Sequence, residues 1–269
     1  MISLSDLRQF KQQARKFSCL TCYDASMAKA MEIAEVDTIL IGDSLGMTIQ
    51  GHDSTLPVSV EDMVYHTAAV RRGNQHALIM TDLPFMSYAT LNDALLNAKK
   101  VMQAGAQMVK LEGGAWLSET VQVLTRNGIP VCVHLGLTPQ SVHVFGGYKL
   151  QAKTRAAADQ LIADCQAVVD AGAAALLLEC VPAQLGKEIT ELFPNTPVIG
   201  IGAGVDTDGQ VLVCQDMLGL TFGRVARFVR NFMKEQSGET AIVDAFKAYH
   251  LAVQDQSFPA KEHIFQVEL

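Results

Sequence analysis

The sequence lacks the features that define several large classes of protein. It has no uninterrupted apolar stretch of the roughly 18 residues that a membrane span needs. Its 21 Lys and Arg are outnumbered by 28 Asp and Glu, which gives a net charge of −7 and no basic excess for nucleic-acid phosphates. Its N-terminal residues mix charges into apolar positions and show no signal-peptide pattern. We therefore expect no membrane association and no nucleic-acid partner.

Disulfide spacing is also missing, although the chain has six cysteines. Most of them stand inside apolar runs, which indicates buried free thiols and a reducing, cytoplasmic location. Cys19 and Cys22 have the spacing of a redox pair, but residues three apart on a strand face opposite sides. We expect two core thiols there.

Short apolar runs alternate with amphipathic stretches along the whole chain. The runs have strand length and continuous hydrophobicity, which is typical of parallel strands covered on both faces. They occupy 17–22, 38–41, 77–81, 108–111, 130–134, 174–178 and 198–201, with an eighth expected at 211–213. No Pro-, Gly- or Ser-rich linker divides the series. The pattern predicts a single (β/α)8 TIM barrel over residues 1–269, with a doubly wound open sheet as the alternative.

Helix boundaries and loop lengths support this reading. Ser59, Thr90 and Thr154 can cap helices, and glycines at 105, 128 and 172 can end them. The connections 44–58 and 135–153 are longer than usual and leave the C-terminal ends of strands, where the active sites of barrels lie. We expect lids there, with disorder as the alternative.

Polar residues stand where the apolar strands end. On a strand, Lys110 and Glu112 point to one side, so both can reach one cavity. Three carboxylates in a cavity repel one another unless protons or a cation intervene, and an all-oxygen set favours Mg²⁺. The alternative is acids paired with Lys and Arg at a solvated rim. The strand-end residues are Asp43, Ser44, Asp82, Lys110, Glu112, His134 and Glu179.

Two of these residues suggest acid–base chemistry. Glu179 ends the most apolar strand, and a carboxylate there can remove a proton from carbon beside a metal-polarised keto group. His134 can bind substrate or orient a ligand. A structural role is about as frequent for each residue taken alone. The glycine-rich run 200–204 lacks the spacing of a dinucleotide site and indicates instead the close approach of a ligand or loop.

Seven ordered motifs together resemble the ketopantoate hydroxymethyltransferase family over about residues 23–232. They are GDSLG at 42–46, STLP at 54–57, DLPF at 82–85, VKLEGG at 109–114, GLTPQS at 136–141, GIGAG at 200–204 and DMLGL at 216–220. Glu35, Val133 and Gln215 depart from the family pattern, which commonly has Gly, Gly and His at these positions.

The resemblance implies an enzyme of pantothenate, and so coenzyme A, biosynthesis. Such an enzyme transfers a hydroxymethyl group from 5,10-methylenetetrahydrofolate to 3-methyl-2-oxobutanoate through a Mg²⁺-stabilised enolate. The products are 2-dehydropantoate and tetrahydrofolate. A homodecamer is implied as well.

The resemblance also implies a role for each strand-end residue. Glu179 is the catalytic base. The metal ligands are Asp43 and Asp82, with Glu112 in or just outside the metal shell. The residues that bind the oxo acid are Asp43, Ser44, Asp82, Lys110 and His134.

Two other functions fit the residues themselves. One is a related barrel lyase or aldolase that acts on pyruvate or another oxo acid without folate. The other is a non-catalytic barrel that binds a metal-chelated oxo acid as a sensor or scaffold. The presence of Asp43, Asp82, Lys110 and Glu179 favours an enzyme over the sensor.

Overall fold

Eight parallel strands close into one barrel. The computed structural model describes residues 1–267, and in it each strand pairs with its neighbours in chain order while the eighth pairs with the first. This closure confirms the predicted TIM barrel and excludes the open sheet. The strands are β1 Phe17–Thr21, β2 Thr38–Ile41, β3 Leu78–Asp82, β4 Met108–Glu112, β5 Val131–Gly136, β6 Ala175–Glu179, β7 Val198–Ile201 and β8 Gly209–Leu212.

Strand positions follow the apolar runs closely, with one exception. Asp82, Glu112 and Glu179 are the last residues of their strands, so the polar residues do mark strand ends. The last strand was predicted at 211–213, but it begins at Gly209 because Phe17 pairs with Gly209 across the barrel seam. A single domain over 1–269 stays a prediction, and its last two residues lie outside the described range.

Helices cover the outside of the barrel. The predicted caps are confirmed, since Ser59, Thr90 and Thr154 each accept the backbone N–H of the residue three positions later. The helices are α1 Leu4–Gln12, α2 Ala25–Ile33, α3 Leu45–Thr48, α4 Val60–Gly73, α5 Leu91–Gln103, α6 Ser118–Arg126, α7 Val142–Phe145, α8 Arg155–Asp170, α9 Ala183–Leu192, α10 Cys214–Met217 and α11 Ala241–Gln254. Glycines 105, 128 and 172 have positive φ, as expected for residues that end helices.

Helix α1 lies across the N-terminal end of the barrel. Just before it, the N–H of Ile2 donates to the carbonyl of His76, which precedes β3. Near its end, Lys11 Nζ lies 2.6 Å from Asp208 Oδ2, just before β8. Helix α1 therefore covers the end of the barrel opposite the strand-end residues.

The cysteines agree with the expectation from the sequence. All six cysteines are free and buried, in agreement with core thiols rather than disulfides. Within 1–267, no helix is both long enough and apolar enough to cross a membrane.

Candidate active site

The C-terminal ends of the strands surround a cavity of about 710 Å³. This volume is in the range of roughly 300–1,000 Å³ found for small-molecule sites. Five of the predicted residues in it are almost completely buried, three of them acids, so the alternative of acids at a solvated rim is wrong. The cavity is lined by all seven predicted residues: Asp43, Ser44, Asp82, Lys110, Glu112, His134 and Glu179.

Lys110 places a cation among the carboxylates. Its Nζ lies 2.8 Å from Asp82 Oδ1 and 3.6 Å from Glu112 Oε1, and 3.2 Å from His134 Nδ1. The contact with Asp82 has ion-pair distance but not hydrogen-bond geometry, because Asp82 Oδ1 has no hydrogen-bond partner among the described residues. We call Asp43, Asp82, Lys110, Glu112 and His134 the cavity floor.

The floor brings three carboxylates close to the Lys110 ammonium and the His134 imidazole. Burial raises the pKa of Asp43 well above its ordinary value, and the nearby Asp82 and Glu112 raise it further. Burial also raises the pKa of Asp82, against the lowering effect of Lys110. Burial alone would lower the pKa of Lys110, but the charges of Asp82, Glu112 and Asp43 raise it above its ordinary value. The Lys110 ammonium therefore stays charged.

His134 lies between two carboxylates. Its Nδ1 is 3.3 Å from Glu112 Oε1, and its Nε2 is 3.3 Å from Glu179 Oε2. Burial and the charge of Lys110 would lower the pKa of His134, but Glu112 and Glu179 raise it to about 8. Burial would raise the pKa of Glu112, but His134 and Lys110 lower it overall. His134 thus lies against Glu179 at the edge of the floor, where the Glu179 side chain keeps 14% of its surface exposed.

Asp43 and Asp82 suit a magnesium ion. The N–H of Asp43 donates to Asp82 Oδ2 at 3.0 Å, which holds the two carboxylate residues side by side. Mg²⁺ usually binds through one or two protein carboxylates and leaves positions for water and substrate. Over 1–267, no three His, Cys, Asp or Glu side chains form a ready-made metal centre, and Glu112 is already engaged by His134. The chemistry of Asp43 and Asp82 is compatible with the ion, and the ligand roles of Asp43, Asp82 and Glu112 all stay predictions.

Gln140 connects the floor to the loop after β5, and the sequence analysis gave it no role. Its side-chain Nε2 donates to Asp43 Oδ2 at 2.8 Å and to the carbonyl of Leu83 at 3.0 Å. Its backbone N–H donates to Glu112 Oε2 at 2.9 Å, and its Oε1 accepts from the Tyr88 hydroxyl at 2.6 Å. The GLTPQS motif was a signal for this residue, although the motif alone does not say what Gln140 contacts.

The two predicted lid loops both line the cavity. Met47 comes from the loop 44–58, and Tyr148 comes from the loop 135–153. The Tyr148 hydroxyl lies 3.5 Å from Met47 Sδ, so the loops meet over the floor. Ser44, also in the first loop, is hydrogen-bonded to the Tyr23 hydroxyl at 2.8 Å. This arrangement places Ser44 beside the floor and argues against disorder of the loops.

A third segment at the cavity mouth was missed. Residues 219–230, which we call the rim segment, follow α10 and contribute Arg224, Arg227 and Phe228 to the cavity lining. A Cβ on Gly202 would lie 2.9 Å from the Phe228 ring. The absence of a side chain at Gly202 therefore lets the rim segment approach the glycine-rich run 200–204, and close approach of a loop was one of the two roles expected for that run. A mixture of arginines and glycines without helical periodicity was the available signal.

Comparison with known proteins gives strong similarity over the full length. A family model described as ketopantoate hydroxymethyltransferase matches residues 1–261. The 3-methyl-2-oxobutanoate hydroxymethyltransferase of Acinetobacter baumannii (strain AYE) is 89% identical, with 100% of both chains covered. That of Psychrobacter sp. (strain PRwf-1) is 61% identical, covering 98% of this chain and 100% of the relative.

Solved structures with much lower identity share the fold. Phosphonopyruvate hydrolase aligns with a TM-score of 0.63 at 13% identity, covering 82% of this chain and 84% of that one. 2,3-Dimethylmalate lyase aligns with a TM-score of 0.58 at 14% identity, covering 79% and 81%. At this identity the likeness supports the barrel fold alone.

Proposed function

The chain belongs to the ketopantoate hydroxymethyltransferase family and is an enzyme of pantothenate biosynthesis, and from this premise we propose its donor, cofactor and mechanism. The proposed reaction transfers a hydroxymethyl group from 5,10-methylenetetrahydrofolate to 3-methyl-2-oxobutanoate. Its products are 2-dehydropantoate and tetrahydrofolate. The homodecamer and the cytoplasmic location stay predictions.

The proposed oxo-acid site is the cavity floor together with Ser44. Lys110 is the fixed cation of the floor, and in this proposal its ammonium faces the negative charge of the substrate. Ser44, held by the Tyr23 hydroxyl, can donate to the substrate carboxylate. Asp43 and Asp82 would hold Mg²⁺, which would supply electron withdrawal from the keto oxygen and so acidify the C3–H bond.

Glu179 is the proposed base, and its position is the observation that carries the mechanism. It is the carboxylate at the edge of the floor, 3.3 Å from His134 Nε2 and not engaged in a salt bridge with Lys or Arg among the described residues. Glu179 accepts the C3 proton, and Lys110 offsets the charge that develops on the keto oxygen. The carbanion at C3 then attacks the methylene carbon of the iminium form of the folate, and the electrons of the C=N π bond move to nitrogen. One water afterwards replaces the folate nitrogen on that carbon, which leaves the hydroxymethyl group on the product and releases tetrahydrofolate. The two lid loops limit the access of water to that reactive donor.

Deuterium exchange at C3 of 3-methyl-2-oxobutanoate in D₂O, followed by proton NMR, tests the proposal. We expect exchange with Mg²⁺, loss of exchange with a chelator, and formation of 2-dehydropantoate when 5,10-methylenetetrahydrofolate is added. Exchange of pyruvate or a longer oxo acid, without exchange of this one, would instead support the lyase alternative.

A further inference from the structure

The charged groups of the cavity are distributed unequally between its floor and its mouth. At the floor, the carboxylates of Asp43, Asp82 and Glu112 surround the single ammonium of Lys110. That ammonium is within 4 Å of two carboxylates, so it is already committed to the floor. A second anionic ligand needs a different source of positive charge.

The rim segment supplies this charge. Arg224 and Arg227 both line the cavity, and both are exposed at its mouth. Arg227 donates through Nε to the carbonyl of Glu262 at 2.8 Å, which fixes its direction but leaves its charge unneutralised. Within residues 1–267, neither arginine forms a salt bridge. The mouth therefore offers two guanidinium groups to a ligand.

One carboxylate also lines the cavity near these arginines. Asp216 lines the same part of the cavity, and its carboxylate accepts a hydrogen bond from the Thr221 hydroxyl. Burial raises the pKa of Asp216 above its ordinary value. The two arginines therefore outnumber this carboxylate, although the whole chain has a net charge of −7.

Aromatic side chains line the same cavity. Phe228 packs against Gly202, where a Cβ would meet its ring, and Arg227 lies 5.8 Å over the ring of Phe265. Both phenylalanines and Tyr148 belong to the cavity lining. A ligand that combines flat rings with terminal carboxylates matches this wall and mouth.

We propose that Arg224 and Arg227 bind the glutamate carboxylates of the folate donor and so determine its affinity. This inference rests on the proposed function, because it assumes folate as the co-substrate. Guanidinium groups bind carboxylates in a bidentate geometry, which a lysine ammonium cannot reproduce. The oxo acid, held at the floor, does not depend on these arginines.

The experiment compares two donors that differ only in the glutamate. The Michaelis constant is measured for 5,10-methylenetetrahydrofolate and for 5,10-methylenetetrahydropteroate, which lacks it. Wild-type enzyme should favour the glutamylated donor by about tenfold or more. Arg224→Gln and Arg227→Gln should each reduce this preference by about three- to tenfold, and the double variant should abolish it.

Three controls separate the arginine contacts from loss of structure. C3–H exchange without folate and the Michaelis constant for the oxo acid should stay unchanged in both variants. Arg126→Gln, an exposed substitution at the end of α6, should leave the donor preference intact. Arg→Lys at 224 and 227 should restore only part of the preference.

The outcomes distinguish this inference from the proposed function. If wild-type enzyme forms product but the double variant keeps the donor preference, the arginine assignment is wrong and the proposed function stands. If wild-type enzyme catalyses exchange but forms no product with either folate donor, the inference and the proposed donor are both wrong.

Discussion

The two ends of the barrel both bury charged side chains, but they arrange them differently. At the N-terminal end, Asp37 accepts hydrogen bonds from the N–H of Ser18 at 2.9 Å and from Arg15 at 2.7 Å. Nearby, Asp208 pairs with Lys11 at 2.6 Å and accepts from a backbone N–H. Each carboxylate there has its own cation and a backbone donor.

At the C-terminal end, three carboxylates share one lysine and the His134 imidazole instead of each having a cation of its own. Asp43 and Asp82 have raised pKa values because they are buried near like charges, and Asp82 Oδ1 lacks a hydrogen bond. A buried ion pair with complete partners serves the fold, whereas an excess of one charge destabilises the fold unless a ligand binds. Buried charge by itself therefore does not mark a site, but unbalanced buried charge does.

The largest expected effect concerns catalysis at the C-terminal end. Glu179→Gln should keep binding of Mg²⁺ and the oxo acid but lower C3–H exchange by at least about 100-fold, because the amide cannot accept the proton. Exchange is followed by proton NMR and binding by calorimetry. Glu191→Gln, exposed on α9, is the matched control. Normal exchange in the Glu179 variant would remove this residue as the base.

The next effect concerns stability at the N-terminal end. Asp37→Ala should lower the free energy of unfolding by about 2–4 kcal/mol, because the buried N–H of Ser18 loses its acceptor and Arg15 loses its partner. Denaturant unfolding measures the change. Asp159→Ala, which removes an exposed ion pair with Arg155, should cost less than about 1 kcal/mol. Equal losses of unfolding free energy in the two variants would show that the buried Asp37–Arg15 pair stabilises the fold no more than the exposed Asp159–Arg155 pair.

Removing a carboxylate at the C-terminal end should raise the free energy of unfolding, whereas removing Asp37 lowers it. Asp43→Asn, measured with chelator present, should raise the free energy of unfolding by about 1 kcal/mol, because it removes one of the mutually repelling carboxylates. The asparagine oxygen can still accept from Gln140. The same variant should lose product formation. A loss of stability would mean that the floor is balanced without a bound cation.

The smallest expected effect lies outside both charge clusters. Glu35 has φ +59° and is exposed, a conformation that favours glycine. Glu35→Gly should raise the free energy of unfolding by about 0.5–1 kcal/mol without changing the Michaelis constants. Thermal unfolding measures it, with Glu239→Gly in an irregular exposed segment as the comparison.

The sequence predicted the barrel and the strand-end residues because both depend on local patterns. A continuous apolar run must end before the chain leaves the core, so Asp82, Glu112 and Glu179 stood out as polar residues after such runs. Position 35 is a similar case, because the family commonly has glycine there and the backbone at Glu35 has positive φ.

The remaining contacts depend on the tertiary arrangement. Gln140 lies in a loop, and its partners Asp43 and Tyr88 are 97 and 52 residues away. Arg224 and Arg227 stand in a segment without periodicity, which gave no reason to place them at the cavity mouth. Asp37 was not singled out either, because its pairing with Ser18 and Arg15 appears only when the barrel closes.

Gln140 couples the carboxylates of the floor to the position of the loop after β5. Its side chain bonds Asp43, while its own backbone bonds Glu112, so the loop cannot leave without removing donors from two carboxylates. A cation that draws Asp43 away from Gln140 weakens one anchor of the loop. If the cation changes the affinity for a substrate that closes the loop, thermodynamic linkage requires that this substrate change the affinity for the cation by the same factor. Cation affinity at the floor and closure of this loop are thus linked by one coupling free energy.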